Sequence, residues 1–145
     1  MFTHEYYMKE AYKEALKALD KDEVPIGVVV VCNQQIIARA HNLSETLNDV
    51  TAHAEMQAIT SAADYLGGKY LDQCILYVTL EPCPMCAGAL YWAQLGGLVY
   101  GATDEKRGYS RVAPKLLHPK TKVVRGILHD EAAKLMKNFF AKRRK

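Results

Sequence analysis

Along the first twenty residues the apolar positions Met8, Tyr12, Ala15 and Leu19 recur three or four apart among Lys and Glu. That spacing predicts a helix with one apolar stripe, which must lie against something. After Asp20-Lys21-Asp22-Glu23-Val24-Pro25, residues 26–31 and 36–40 form two β-branched runs separated by Asn33-Gln34-Gln35, and these predict a hairpin. From 52 to 66 alanines and long apolar residues recur at helical spacing, and Gly67-Gly68 ends the pattern as a C-terminal cap does. Residues 74–80 are continuously apolar, the mark of a strand covered on both faces. Pro82 and Pro84 open a third helix through about Gln94, and a strand at 98–102 completes a β-α-β unit. A looser stretch from Lys106 to Lys122 leads to a short strand at Val123-Val124 and a last amphipathic helix from Asp130. The alternation predicts an α/β fold, a three-layer α-β-α sandwich around a mixed five-stranded sheet. No repeat, low-complexity tract or linker interrupts it.

The chain has 145 residues, half of them apolar, enough for one domain spanning 1–145 to bury a core without disulfides. No apolar run approaches the ~20 residues that cross a bilayer. The start lacks the basic-then-apolar order of a secretion signal, so a cytoplasmic protein with no membrane association is expected. In a reducing compartment the close pair Cys83 and Cys86 points to metal or redox chemistry rather than a bridge. A net charge of +3 does not demand a nucleic-acid partner. Its distribution says more: residues 137–145 carry five cationic side chains and no anionic one, a local positive patch.

The chemistry concentrates in His53-Ala54-Glu55 and, after 26 intervening residues, Pro82-Cys83-Pro84-Met85-Cys86. Two cysteines three apart at a helix start share a face, and the free amides and helix dipole there favour thiolate. His53 also opens a helix, and two helices starting side by side bring one imidazole and two thiolates onto one metal. Three protein ligands leave zinc a fourth position for water, the arrangement of a catalytic rather than a structural site. Glu55, two residues past the histidine, then serves as proton shuttle. Taken alone, a C-x-x-C is equally a redox pair or half a structural zinc site, and a His-x-Glu is equally a helix cap. Together, in this order, they match the H-x-E…P-C-x-x-C pattern of zinc nucleobase deaminases. A purely structural zinc module for RNA binding has no use for a carboxylate there. Cys32 and Cys74 read as buried fillers. His4, His41, His118 and His129 have no ligand spacing.

Over nearly its whole length the sequence resembles the bacterial tRNA-specific adenosine deaminases of the cytidine deaminase superfamily. The resemblance runs through Val24-Pro25-Ile26-Gly27, His41-Asn42, Thr51-Ala52-His53-Ala54-Glu55-Met56, residues 76–89, residues 99–104 and Phe139-Phe140 with its basic tail. It implies a cytidine deaminase-like fold, one zinc ion per subunit, the wobble adenosine of a tRNA anticodon loop as substrate, inosine as product, and a homodimer; no DNA partner is expected. Asn42 matches the asparagine that hydrogen-bonds the target purine, although from the residues alone it reads as a turn residue. Asp104 and Lys106 match positions beside the bound RNA, and Phe140, Arg143 and Arg144 match residues that meet the anticodon loop, where splayed bases stack and phosphates attract cations. Helix packing explains at least one of Phe139 and Phe140. Tyr91-Trp92 is similar instead to guanine deaminases, so free guanine or another small nucleobase is the alternative substrate. The stretch from Gly108 to Gly126 is shorter than in the tRNA enzymes, and no contact is carried over to it.

Overall fold

The computed structural model describes residues 2–143. Its elements in chain order are α1 (His4–Asp20), β1 (Gly27–Cys32), β2 (Gln35–His41), α2 (Ala54–Leu66), β3 (Cys74–Leu80), α3 (Pro84–Trp92), β4 (Gly97–Ala102), α4 (Tyr109–Val112), β5 (Lys122–Arg125) and α5 (His129–Arg143). The strands form one sheet in the order β2-β1-β3-β4-β5. β1 is antiparallel to β2 and β3, whereas β3, β4 and β5 run parallel, the mixed sheet expected.

Strand alternation sorts the core into two faces. Val28, Val30, Leu76, Val78 and Leu98 pack against Ala54, Ala58 and Ala62 of α2 and Ala87 and Leu90 of α3. Val29, Val31, Tyr77 and Val99 meet Tyr7, Met8 and Ala11 of α1, and α5 joins this second face through Ala132 beside Leu80 and Ala102. The result is the three-layer α-β-α sandwich. Truncating one of these fully buried leucines to alanine would cost about 2–5 kcal/mol.

Three local details depart from the pattern read in the sequence. The face α1 buries is Tyr7, Met8, Ala11, Glu14, Ala15 and Ala18, while Tyr12 is half-buried and Leu19 exposed. The cause is close approach: a side chain at Gly27 would collide with the α1 backbone at Ala11 and Ala15, so small residues sit where the helix meets Gly27, with Tyr7 and Met8 buried a turn earlier. The hairpin turn also shortens to Asn33-Gln34, both at positive φ (51° and 64°), as a two-residue turn that matches strand twist requires. Gln35 thereby joins β2. The stretch expected to be loose contains the four-residue α4, too short to leave a periodic signal.

Candidate active site

The two motif halves meet at the N-terminal ends of α2 and α3. His53 is the N-cap of α2 and Cys83 that of α3, both extended, and neither side chain makes a capping hydrogen bond. Their polar atoms turn to each other instead. His53 Nδ1 lies 3.6 Å from Cys83 Sγ and 3.5 Å from Cys86 Sγ, and the three donor atoms all fall within 4.8 Å of one another. Zinc bonds of about 2.3 Å to sulfur and about 2.0 Å to nitrogen at tetrahedral angles put such donors roughly 3.5 Å apart, so the trio fits zinc.

The electrostatics make Cys83 the anionic member of the trio. A hydrogen bond from Cys86 is the largest influence holding the Cys83 thiol down at about 4, and the same bond raises Cys86. The Cys83 sulfur in turn raises His53 above its ordinary value. Glu55, in the first turn of α2, is 3% exposed, and burial pushes its carboxyl up to about 7. Its Oε1 is the one buried side-chain oxygen or nitrogen without a hydrogen-bond partner among the described residues. A buried acceptor left open costs about 1–3 kcal/mol, and beside a metal-donor cluster it is aimed at what binds there.

Two further buried carboxylates tie the loops around this cluster. Glu23 is fully buried and accepts from Glu45 N (3.1 Å), Thr46 N (2.6 Å), Thr46 Oγ1 (2.6 Å) and Asn42 Nδ2 (3.4 Å). Asn42 is itself buried. Leu43 N–H to the Ala52 carbonyl and Gln57 Nε2 to the His41 and Ala52 carbonyls stitch its loop to the start of α2. Glu81 accepts from Asp104 N (3.1 Å), Ser110 N (3.0 Å) and Ser110 Oγ (2.5 Å), and Tyr109 N donates to the Pro82 carbonyl beside Cys83. The Asp104 carboxylate is occupied by the Lys106 and Arg107 amides, leaving the exposed Lys106 and Arg107 side chains to face solvent. Sequence reading missed both stapling roles. Glu23 sits in a polar run that reads as solvated, whereas a charge ending the apolar run of β3 was a signal at Glu81.

On α5, Phe139 is buried and Phe140 41% exposed, which assigns packing to the first and leaves the second at the surface. Arg143 stacks over the Phe139 ring, 4.5 Å from its centre, and donates to the Asp22 carbonyl at 2.8 Å. With Lys21, Asp22, Glu45 and Thr46 it lines a hollow of about 390 Å³ next to the Glu23 staple, off the metal-donor cluster. Arg144 lies outside the described residues. Cys32 and Cys74 face each other across β1 and β3, free and buried. Tyr91 and Trp92 lie at the C-terminal end of α3, while Cys83 caps its start. None of the helices is long and apolar enough to cross a membrane, among the described residues.

A mixed five-stranded sheet flanked by helices, with a His-Cys-Cys cluster and a buried glutamate at two helix starts, defines a deaminase with the cytidine deaminase-like fold, a zinc-dependent class. The model of MafB19-like deaminases matches residues 2–144. A tRNA-specific adenosine deaminase of Bacillus subtilis is 49% identical over 100% of this chain and 93% of its own length. A solved tRNA:A34 deaminase superposes with a TM-score of 0.84 at 42% identity, covering 90% of this chain and 98% of the other. A guanine deaminase from Bacillus subtilis is 43% identical, but only 70% of this chain and 66% of that one are covered, with a TM-score of 0.67. The chain belongs to the bacterial tRNA-specific adenosine deaminases.

Proposed function

We propose that this chain, acting as one domain from 1 to 145, hydrolyses the wobble adenosine of a tRNA anticodon to inosine in the cytoplasm. The observation that carries the chemistry is the convergence of His53 Nδ1, Cys83 Sγ and Cys86 Sγ beside the unpartnered Glu55 Oε1. His53, Cys83 and Cys86 would hold one zinc ion. When bound, zinc acts as a Lewis acid, drawing the pKa of water from 15.7 towards about 7. Glu55 takes a proton from the attacking water as its oxygen adds to the carbon bearing the amine. The same carboxyl passes that proton to the adjacent ring nitrogen, then takes the second proton from the added hydroxyl and delivers it to the departing amine. The carbon–nitrogen bond breaks, ammonia leaves, and a carbonyl remains.

Asn42 holds the purine, and its buried, loop-stapled place beside the start of α2 supports that role. Asp104 shapes the loop from which Lys106 reaches RNA phosphates. Phe140, exposed on α5, offers a stacking face, with Arg143 and Arg144 supplying cations. Turning the base out of its stack costs a few kcal/mol, least in a loop already partly unstacked, which suits an anticodon. We further propose a homodimer: Met85, Tyr91 and Trp92 present exposed apolar surface from one helix, and sedimentation at micromolar concentration tests it.

Incubating zinc-loaded protein with an arginine tRNA transcript and sequencing for inosine tests the reading. Absence of conversion overturns it. Free guanine is the second reading, favoured by Tyr91-Trp92 and the partial likeness to a guanine deaminase; ammonia release from guanine without RNA would support it.

A further inference from the structure

Glu23 has no exposed surface, yet among the described residues no lysine or arginine pairs with it. A buried charge survives only where it is well hydrogen-bonded. Here neutral donors do that work: the backbone N–H groups of Glu45 and Thr46, the Thr46 hydroxyl, and the Asn42 side-chain amide. The two Thr46 bonds are both 2.6 Å, short as charge-assisted bonds are.

This arrangement dictates how the Asn42 amide points. Its Nδ2 faces Glu23 Oε1 at 3.4 Å and Ser44 Oγ at 3.3 Å. With the amide reversed, its oxygen would face a carboxylate, and two acceptors repel. The N–H directed at Ser44 then remains the one that a substrate acceptor can take over, with the carbonyl oxygen beside it. A glutamine at 23 could not do the same. It has a single acceptor oxygen, and whichever way it turned, its NH₂ would meet either the Thr46 donors or those of Glu45 and Asn42.

We propose that Glu23 is a positioning residue for the target base: its buried carboxylate fixes the Asn42 amide in one orientation and holds residues 44–46 around it. The proposal rests on Asn42 meeting the purine, as argued above, and on the geometry of the four donors. It assigns substrate selection partly to a side chain in the α1–β1 connection that touches no substrate.

A double-mutant cycle on zinc-loaded full-length protein tests it, using Glu23→Gln, Asn42→Ala and the double variant, with zinc content and melting temperature measured for each. The expected result is a loss of about tenfold or more in tRNA kcat/KM for Glu23→Gln, shrinking to about threefold or less when Asn42 is already alanine, a coupling typical of residues in contact. The same fractional loss in both backgrounds overturns the proposal, because the effect would then be general stability. Full activity of Asn42→Ala overturns the reading of Asn42 itself, a separate result visible in that single variant. If Glu23→Gln does not fold, Thr46→Val removes one of the four donors. A loss of about twofold to fivefold that vanishes in the Asn42→Ala background supports the same coupling, and an equal loss in both overturns it.

Discussion

Gly108 is held to glycine by space, not by backbone angle. Its φ of −66° and ψ of 142° suit any residue, but a Cβ there would overlap the Glu81 carboxyl group and the Asp104 carbonyl oxygen. Neither can yield. Glu81 is 2% exposed and held by Asp104 N, Ser110 N and Ser110 Oγ, and the Asp104 oxygen belongs to the backbone. In Gly108→Ala the 104–110 loop must therefore lift from Glu81. It gives up the Asp104 N–H bond to Glu81 and the Gly108 N–H bond to the Asp104 carbonyl (3.0 Å). Two such bonds at about 1 kcal/mol each, with the strain of an inserted methyl group, sum to about 3 kcal/mol. For a domain of this size that lowers Tm by roughly 6–12 °C. The assay is urea unfolding followed by fluorescence, where a lower midpoint at unchanged slope reads as lost stability. Zinc content should stay at the parent level, since Cys83 and Cys86 are carried by α3. An alanine variant whose midpoint matches the parent's would show that the loop is not pinned by Glu81, and the stapling argument would fail.

Other substitutions separate the site's parts. Glu55→Gln should lower kcat by about 10²–10⁴-fold while zinc, measured by emission spectroscopy, stays bound. Lys106→Ala should raise the Kd for tRNA and flatten its salt dependence, by about 0.7 in the log–log slope if one phosphate contact is lost. Hydrogen bonds hold Glu23 below the ordinary 4.5 despite burial, which is the largest single influence and acts upward. A depressed folded pKa means stability that is complete above the unfolded value and lost as pH falls through the folded one. Urea midpoints should therefore decline below pH 4.5 less steeply in Glu23→Gln than in the parent. His53→Ser should stabilise zinc-free protein by about 0.5–1 kcal/mol, by supplying the missing α2 cap. Zinc should reverse the order in a melting series, because only the parent binds it tightly.

Periodicity and turn chemistry carried most of the fold. The run at 74–80 coincides with β3, and Gly67, at φ 70°, closes α2 as its position in the sequence implied. What escaped were effects set by tertiary distance. The α1 stripe is displaced because Gly27 admits the helix backbone itself, so Ala11 and Ala15 meet the sheet there and Leu19 is turned outward. The cluster of His53, Cys83 and Cys86 was legible because both halves sit at fixed offsets from helix starts. The staples were not, because a buried glutamate bonded to backbone amides leaves no spacing to read: its partners at 45–46 and 104–110 lie about 20 to 30 residues away.

His53 and Cys83 both stand where a helix begins. Ser, Thr, Asp and Asn prefer N-cap positions because their side chains satisfy free amides, typically with about 1 kcal/mol of stabilisation. At 53 and 83 the chain carries His and Cys, whose side chains make no such bond, so both helices begin without side-chain caps. The unsatisfied amides and the positive end of the helix dipole then act on the site, favouring thiolate at Cys83, the cysteine at the cap itself. The same geometry sets Glu55 in the first turn of α2, where the dipole favours its carboxylate while burial opposes it. A carboxyl balanced between those influences can accept a proton and return it. The stability given up at two caps thus reappears as chemistry at one site, which the opposing responses of His53→Ser with and without zinc would measure directly.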